Sequence, residues 1–223
     1  MMHLNRAGHS VVGAVSCLVA VGLLVAGTVK DTSADAKKGR MTFSMLCQTC
    51  HGPTGEGMRA VNSPALTGLN DWYVIAQLKK FKAGERGFKA EDVSGSQMAA
   101  IAITLANEAA MQDVADYIKS LEHVPQATPE VVGDVAKGKA IYAEVCKECH
   151  GEGAEGIEAK HSSTLVGQND WYLLAQIDKF RTGLRGSAEG DSIGAGMAKI
   201  AKELPDQAAV NDVIAYIGSL EHR

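Results

Sequence analysis

Displaced by 99 residues, the chain matches itself: residues 35–123 fall on 134–222 without a gap, and about 41 of the 89 pairs are identical. A duplication of that length makes a pair of like domains, each large enough for one small core. The best-kept blocks are Asn70-Asp71-Trp72-Tyr73 against Asn169-Asp170-Trp171-Tyr172, and the tail ending at His123 against the tail ending at His222. Residues 37–123 form the first domain and 134–223 the second. Residues 124–133 carry two prolines and no helical period, which reads as a linker.

Each copy reads as helical. A short segment ends at a cysteine motif, and a glycine-rich loop follows. Asn70 or Asn169 then stands where a cap would open a helix carrying Trp72, Ile75, Leu78 and Phe81, or their counterparts, until Gly84 or Gly183 stops it. A long polar loop leads on to Met98 or Met197. A last helix places Met111, Val114, Tyr117 and Ile118 on one face. No segment alternates as a strand, and only 5% of the residues are aromatic, so the expected fold is all-α.

The formal net charge is −4, with no basic run to neutralise successive phosphates, which excludes nucleic acid as a partner. Residues 11–27 contain no charged side chain, follow Arg6 and precede a polar stretch, the layout of an export signal. Seventeen residues is also the short limit for a membrane-spanning helix. Residues 1–36 are therefore expected to be a signal peptide or a retained N-terminal anchor. Either places the working domains in the periplasm, free or held at the outer face of the inner membrane. Cys17 lies inside the apolar run and reads as an ordinary apolar residue.

The other four cysteines form Cys47-Gln48-Thr49-Cys50-His51 and Cys146-Lys147-Glu148-Cys149-His150. C-x-x-C-H is the pattern of c-type haem attachment. Two thiols one helical turn apart reach the two vinyl groups of one haem, and the next residue sets an imidazole over its iron. A zinc site would draw its cysteine pairs much closer together in sequence than these. A thioredoxin-like pair needs a βαβ setting, and two disulfides would leave both histidines unexplained. Two covalent haem c groups follow, on Cys47, Cys50, Cys146 and Cys149, with His51 and His150 as iron ligands.

Of eight methionines, only Met98 and Met197 occupy equivalent positions, 47 residues beyond their histidines. They are the expected second axial ligands; His123 and His222 also repeat, but as cations ending the last helix. A thioether favours reduced iron and so raises the potential. Arg86 and Arg185 follow the helix stop in both copies, where guanidinium could pair with haem propionates. Trp72, Tyr73, Trp171 and Tyr172 would line the haem or the domain contact.

With these features in place, nearly all of residues 37–223 resembles a dihaem class I cytochrome c, most similar to the cytochrome c4 type. The matching stretches are C-x-x-C-H-G, the Asn-Asp-Trp-Tyr helix with its Phe-Lys-Ala-Gly-Glu-Arg-Gly or Phe-Arg-Thr-Gly-Leu-Arg-Gly ending, the methionine segment and the final Asp-Val-x-x-Tyr-Ile. The resemblance implies two helical haem domains that carry single electrons from a quinol-oxidising donor to a terminal oxidase or reductase. It makes the chain a carrier and not an enzyme. The alternatives are an anchored haem subunit of a larger membrane oxidoreductase, or a peroxidase-type catalyst with an open iron. Two departures stand out: the family's proline before the Leu-x-Gly turn is Pro64 in one copy but Ser163 in the other, and the proline expected after the methionine is Ala100 or Lys199.

Charge is uneven. Residues 37–123 hold 10 Lys+Arg and 9 Asp+Glu, whereas 124–223 hold 10 and 15. Lys79, Lys80, Lys82, Arg86 and Lys89 gather near the end of the first middle helix and are expected to steer an acidic acceptor to the first domain.

Overall fold

A computed structural model describes residues 34–126 and 128–220. The apolar stretch 11–27, Cys17 and His222 lie outside those residues. Every regular element among them is helical, with only two isolated bridges, Met58 to Ser63 and Ile157 to Ser162.

In the first repeat, α1 (Ala34–Thr42) widens into a π turn, Phe43–Cys47, and continues as α2 (Gln48–His51). The wide turn adds a residue to the helical register immediately before the cysteine motif. A 3-10 turn, Arg59–Val61, leads to α3 (Asp71–Ala83), α4 (Val93–Thr104) and α5 (Glu108–Ser120). The second repeat gives α6 (Val135–Ile141), a π turn (Tyr142–Cys146), α7 (Lys147–His150), α8 (Asp170–Thr182), α9 (Ser192–Glu203) and α10 (Gln207–Gly218).

The first and last helices of each repeat cross at a glycine. A Cβ on Gly39 would lie 1.9 Å from the Asp113 carbonyl oxygen, and one on Gly138 equally close to that of Asp212. Beside the crossings, Phe43 packs on Tyr117 with ring centres 5.3 Å apart and Tyr142 on Tyr216 at 5.4 Å. Each repeat then closes its own core, one on Phe43, Leu78, Phe81, Val114 and Ile118, the other on Tyr142, Ile177, Phe180, Val213 and Ile217.

Gly84 and Gly183 end α3 and α8 in the left-handed conformation, at φ 75° and 73°, as expected of helix-stopping glycines. Two other local expectations fail. Asn70 and Asn169 precede α3 and α8 but make no cap hydrogen bond to their own helices. Both side chains reach the other repeat instead. The expected polar loop before the methionines also shortens, because Met98 and Met197 lie inside α4 and α9. Ala100 and Lys199, where a proline would break the ladder, let these helices run on.

The linker is tied down by one carboxylate: Asp170 accepts from the backbone N–H groups of Glu130 and Val131 and from Gln126 Nε2. No helix among the described residues is long and apolar enough to cross a membrane.

Candidate haem sites

In the first repeat, the π turn, α2 and α4 bring Cys47, Cys50, His51 and Met98 to the walls of one cavity of about 470 Å³, otherwise lined mainly by apolar side chains. Cys47 is half-buried and Cys50 exposed, and Cys146 and Cys149 repeat that pair. Burial, with the neighbouring cysteine beside it, pushes the Cys47 thiol up to about 11 and the Cys146 thiol to about 12, so both are neutral near pH 7.

His51 is buried, and its Nδ1 lies 2.8 Å from the Pro64 carbonyl oxygen; His150 Nδ1 lies 2.9 Å from that of Ser163. A carbonyl only accepts, so Nδ1 carries the proton and Nε2 keeps the lone pair that a metal needs. Burial lowers both imidazoles, which favours the same neutral form. Ser163 thus performs the carbonyl's task without proline. Free thiols, an oriented imidazole and a thioether around one apolar cavity fit haem c.

The methionine helices are held at both ends. Asp92 caps α4 by accepting from the Gly95 N–H, and Asp191 caps α9 through Gly194. At the other ends, Lys82 donates to the Leu105 carbonyl, while Arg181 donates to those of Ala201 and Leu204. The caps are themselves bridged across the two repeats: Lys179 Nζ lies 2.6 Å from Asp92 Oδ1, and Lys80 pairs with Asp191.

Arg86 and Arg185 occupy the same boundary. Arg86 donates to Gln77 of its own repeat and to Tyr172 and Gln176 of the other; Arg185 donates to Gln176, Tyr73 and Gln77. Each guanidinium also stacks 4.5 Å from a ring centre, Arg86 on Phe81 and Arg185 on Phe180. Arg86, Tyr73, Tyr172 and Gln176 line the first cavity as well, so the second repeat helps to wall it. Tyr73 and Tyr172 therefore serve cavity and domain contact together, and Trp171 takes Arg59 over its ring at 5.1 Å.

The basic cluster expected to form a docking patch is largely spent on these contacts. Lys80 and Arg86 are engaged at the domain boundary, and Lys82 is committed to the end of α4. Lys79 and Lys89 are what remains of it, the former paired with Glu108. The reciprocal asparagine and lysine contacts have no motif of their own. Their one trace in the sequence is the pairing of Asn70 with Asn169, Lys80 with Lys179 and Asp92 with Asp191 at equivalent positions in the two repeats.

The profile of the cytochrome c family matches residues 36–122 and again 135–221, and the chain belongs to that family. Its two domains and two C-x-x-C-H motifs make it a dihaem electron-transfer cytochrome of the c4 type, with two haem c groups. A protein of Stutzerimonas stutzeri (strain A1501) described as a thiosulfate dehydrogenase electron acceptor is 30% identical over 87% of this chain and 91% of its own. Cytochrome c4 of Azotobacter vinelandii is 29% identical over 90% of this chain and 96% of its own. A solved structure of cytochrome c4 from Acidithiobacillus ferrooxidans superposes with a TM-score of 0.63 at 29% identity, covering 79% of this chain and 99% of that one.

Proposed function

We propose that this cytochrome is a periplasmic one-electron carrier with His/Met ligation at both haems, passing electrons from a quinol-oxidising donor to a terminal oxidase or reductase. The observation that supports it best is the single cavity lined by Cys47, Cys50, His51 and Met98. Haem c, when bound, supplies a reversible one-electron iron couple.

The chain's own residues do the rest. Cys47 and Cys50, like Cys146 and Cys149, would fasten the group as thioethers. His51 and His150 present Nε2 while their Nδ1–H groups are held by backbone carbonyls. Met98 and Met197 would supply the second protein ligand to each iron, an arrangement that suits a carrier rather than an enzyme. The apolar wall would keep water from the bound group, and Arg86 and Arg185, held at the domain boundary by Gln77, Gln176, Tyr73 and Tyr172, would be the guanidiniums available to its propionates. The Stutzerimonas relative adds an oxidoreductase of sulfur compounds to the donor classes to be tried. Retention of residues 11–27 would make the chain an anchored carrier.

Mass and N-terminal determination of the native protein, with its near-infrared spectrum, tests this assignment. Two covalent haem increments and the weak sulfur-to-iron band of oxidised His/Met haem are expected, with Met98→Ala and Met197→Ala each removing about half of that band. One increment, or a band that neither variant weakens, would overturn it.

A further inference from the structure

Both haem-binding histidines lean on a peptide group whose other side is held by the opposite domain. The Pro64 carbonyl accepts from His51 Nδ1, and the N–H of the same peptide, on Ala65, donates to Asn169 Oδ1 at 2.7 Å. In the second domain the Ser163 carbonyl accepts from His150 Nδ1, and the Thr164 N–H donates to Asn70 Oδ1 at 3.2 Å. Ala65, Thr164 and Asn169 are buried, so no bulk water competes for these N–H groups. The approach is close enough to require glycine: a Cβ on Gly57, at φ 87°, would lie 2.5 Å from Ala65 N and 2.7 Å from Asn169 Oδ1. A Cβ on Gly156 would meet Thr164 N at the same 2.5 Å.

From this geometry we infer that Asn169 tunes the haem of the first domain and Asn70 that of the second, each acting across the domain boundary through one peptide group on the proximal histidine. An amide that donates at its N–H becomes a stronger acceptor at its C=O, because hydrogen bonds in a chain polarise one another. A stronger acceptor draws the Nδ1 proton outward and makes the imidazole a more basic ligand. That stabilises the ferric state and lowers the potential. Asn169 and Asn70 are thus positioning residues for the electron-transfer site. Asn70 and Asn169 open helices α3 and α8 in equivalent places, yet each forgoes its own helix's N–H groups for the neighbour's peptide.

The tuning rests on the His/Met assignment proposed above, and the test separates the two. In the full-length dihaem protein, Asn169→Leu removes the acceptor at nearly constant volume, and Asn169→Asp keeps it and strengthens it. Asn169→Leu is expected to raise the midpoint potential of the Cys47/Cys50 haem. In the reduced protein it should also shift the His51 Nδ1–H proton resonance upfield, with the His150 resonance unmoved. Asn169→Asp should move both quantities the opposite way, and Asn70→Leu should transfer the effect to His150.

A charge felt only through space would change the potential in Asn169→Asp but leave the His51 resonance in place and leave Asn169→Leu without effect. That result overturns the relay. Equal shifts at both histidines, reporting loosened domains, would overturn it too. The near-infrared band is read in every variant: if wild-type protein lacks it, the ligation has failed and not the tuning.

Discussion

Lys179 of the second domain donates to Asp92 of the first at 2.6 Å, and Asp92 is the cap of the helix that carries Met98. The Asp92 side chain is only 2% exposed and that of Lys179 18%. Lys80 and Asp191 repeat the arrangement in the other direction. Breaking a buried pair by removing one partner strands the other charge, at a cost of about 3 kcal/mol where the lysine keeps some contact with water. Lys179→Met is expected to destabilise the holo-protein by that amount in denaturant unfolding. Asp92→Asn combined with Lys179→Met should recover much of it, since asparagine still caps α4. Equal losses in the single and double variants would show that the cost is packing and not the stranded carboxylate.

At the helix crossings, Gly39 and Gly138 leave no space for a methyl group. Gly138→Ala must push α6 off α10 by more than an ångström, or bend one of them. Overpacking of a close backbone contact costs about 3 kcal/mol, partly offset by the better helix propensity of alanine, roughly 1 kcal/mol. Thermal unfolding should therefore show a net loss of about 2 kcal/mol. Gly196→Ala in α9, where a Cβ meets nothing within 4 Å, should be stabilising in the same assay.

Tyr73 has an unusual phenol. Burial raises it, but the guanidiniums of Arg185 and Arg86 more than offset that and hold it below the ordinary tyrosine value. In Arg185→Met the burial remains and the nearer charge goes, so the phenol should rise above its ordinary range. Carbon-13 NMR of the labelled Tyr73 Cζ during alkaline titration reads this directly. Wild-type Tyr73 should ionise before a free tyrosine and the variant after it. An unchanged order would mean that Arg185 does not govern the phenol.

The helical class, the duplication and the Cys, His and Met that line the first repeat's cavity were legible because helical periodicity, a gap-free repeat and C-x-x-C-H can all be read from the residues themselves. What could not be read is what depends on how the domains face one another. Asn70 and Asn169 have the identity and position of N-caps, and only the opposing peptide explains why they leave that role. Helix α4 begins Val-Ser-Gly-Ser, a run of poor helix formers that reads as loop; its formation depends on the Asp92 cap, the Lys179 bridge and the Lys82 contact. Lys80 resembles its neighbours Lys79 and Lys82 in sequence, yet it faces a buried carboxylate.

That difference among the lysines divides the electrostatic expectations. Lys79 is exposed, half-paired with Glu108 at the surface, and its reversal touches no interior group. Lys80 faces Asp191, whose side chain is 4% exposed, so a glutamate there would set two carboxylates together at the domain boundary. Lys80→Glu should therefore destabilise the folded protein by about 3–5 kcal/mol, and exchanging the pair as Lys80→Glu with Asp191→Lys should restore part of it. Lys79→Glu and Lys89→Glu should leave unfolding within about 0.5 kcal/mol of wild type. If the first domain, the less acidic of the two, receives an acidic acceptor, these two variants should slow electron delivery at low salt. The effect should fade as ionic strength shortens the Debye length to about 10 Å at 0.1 M. Stopped-flow reoxidation by the acceptor across a salt series measures it, and a rate in Lys79→Glu and Lys89→Glu that matches wild type at low salt would remove this face from the docking surface.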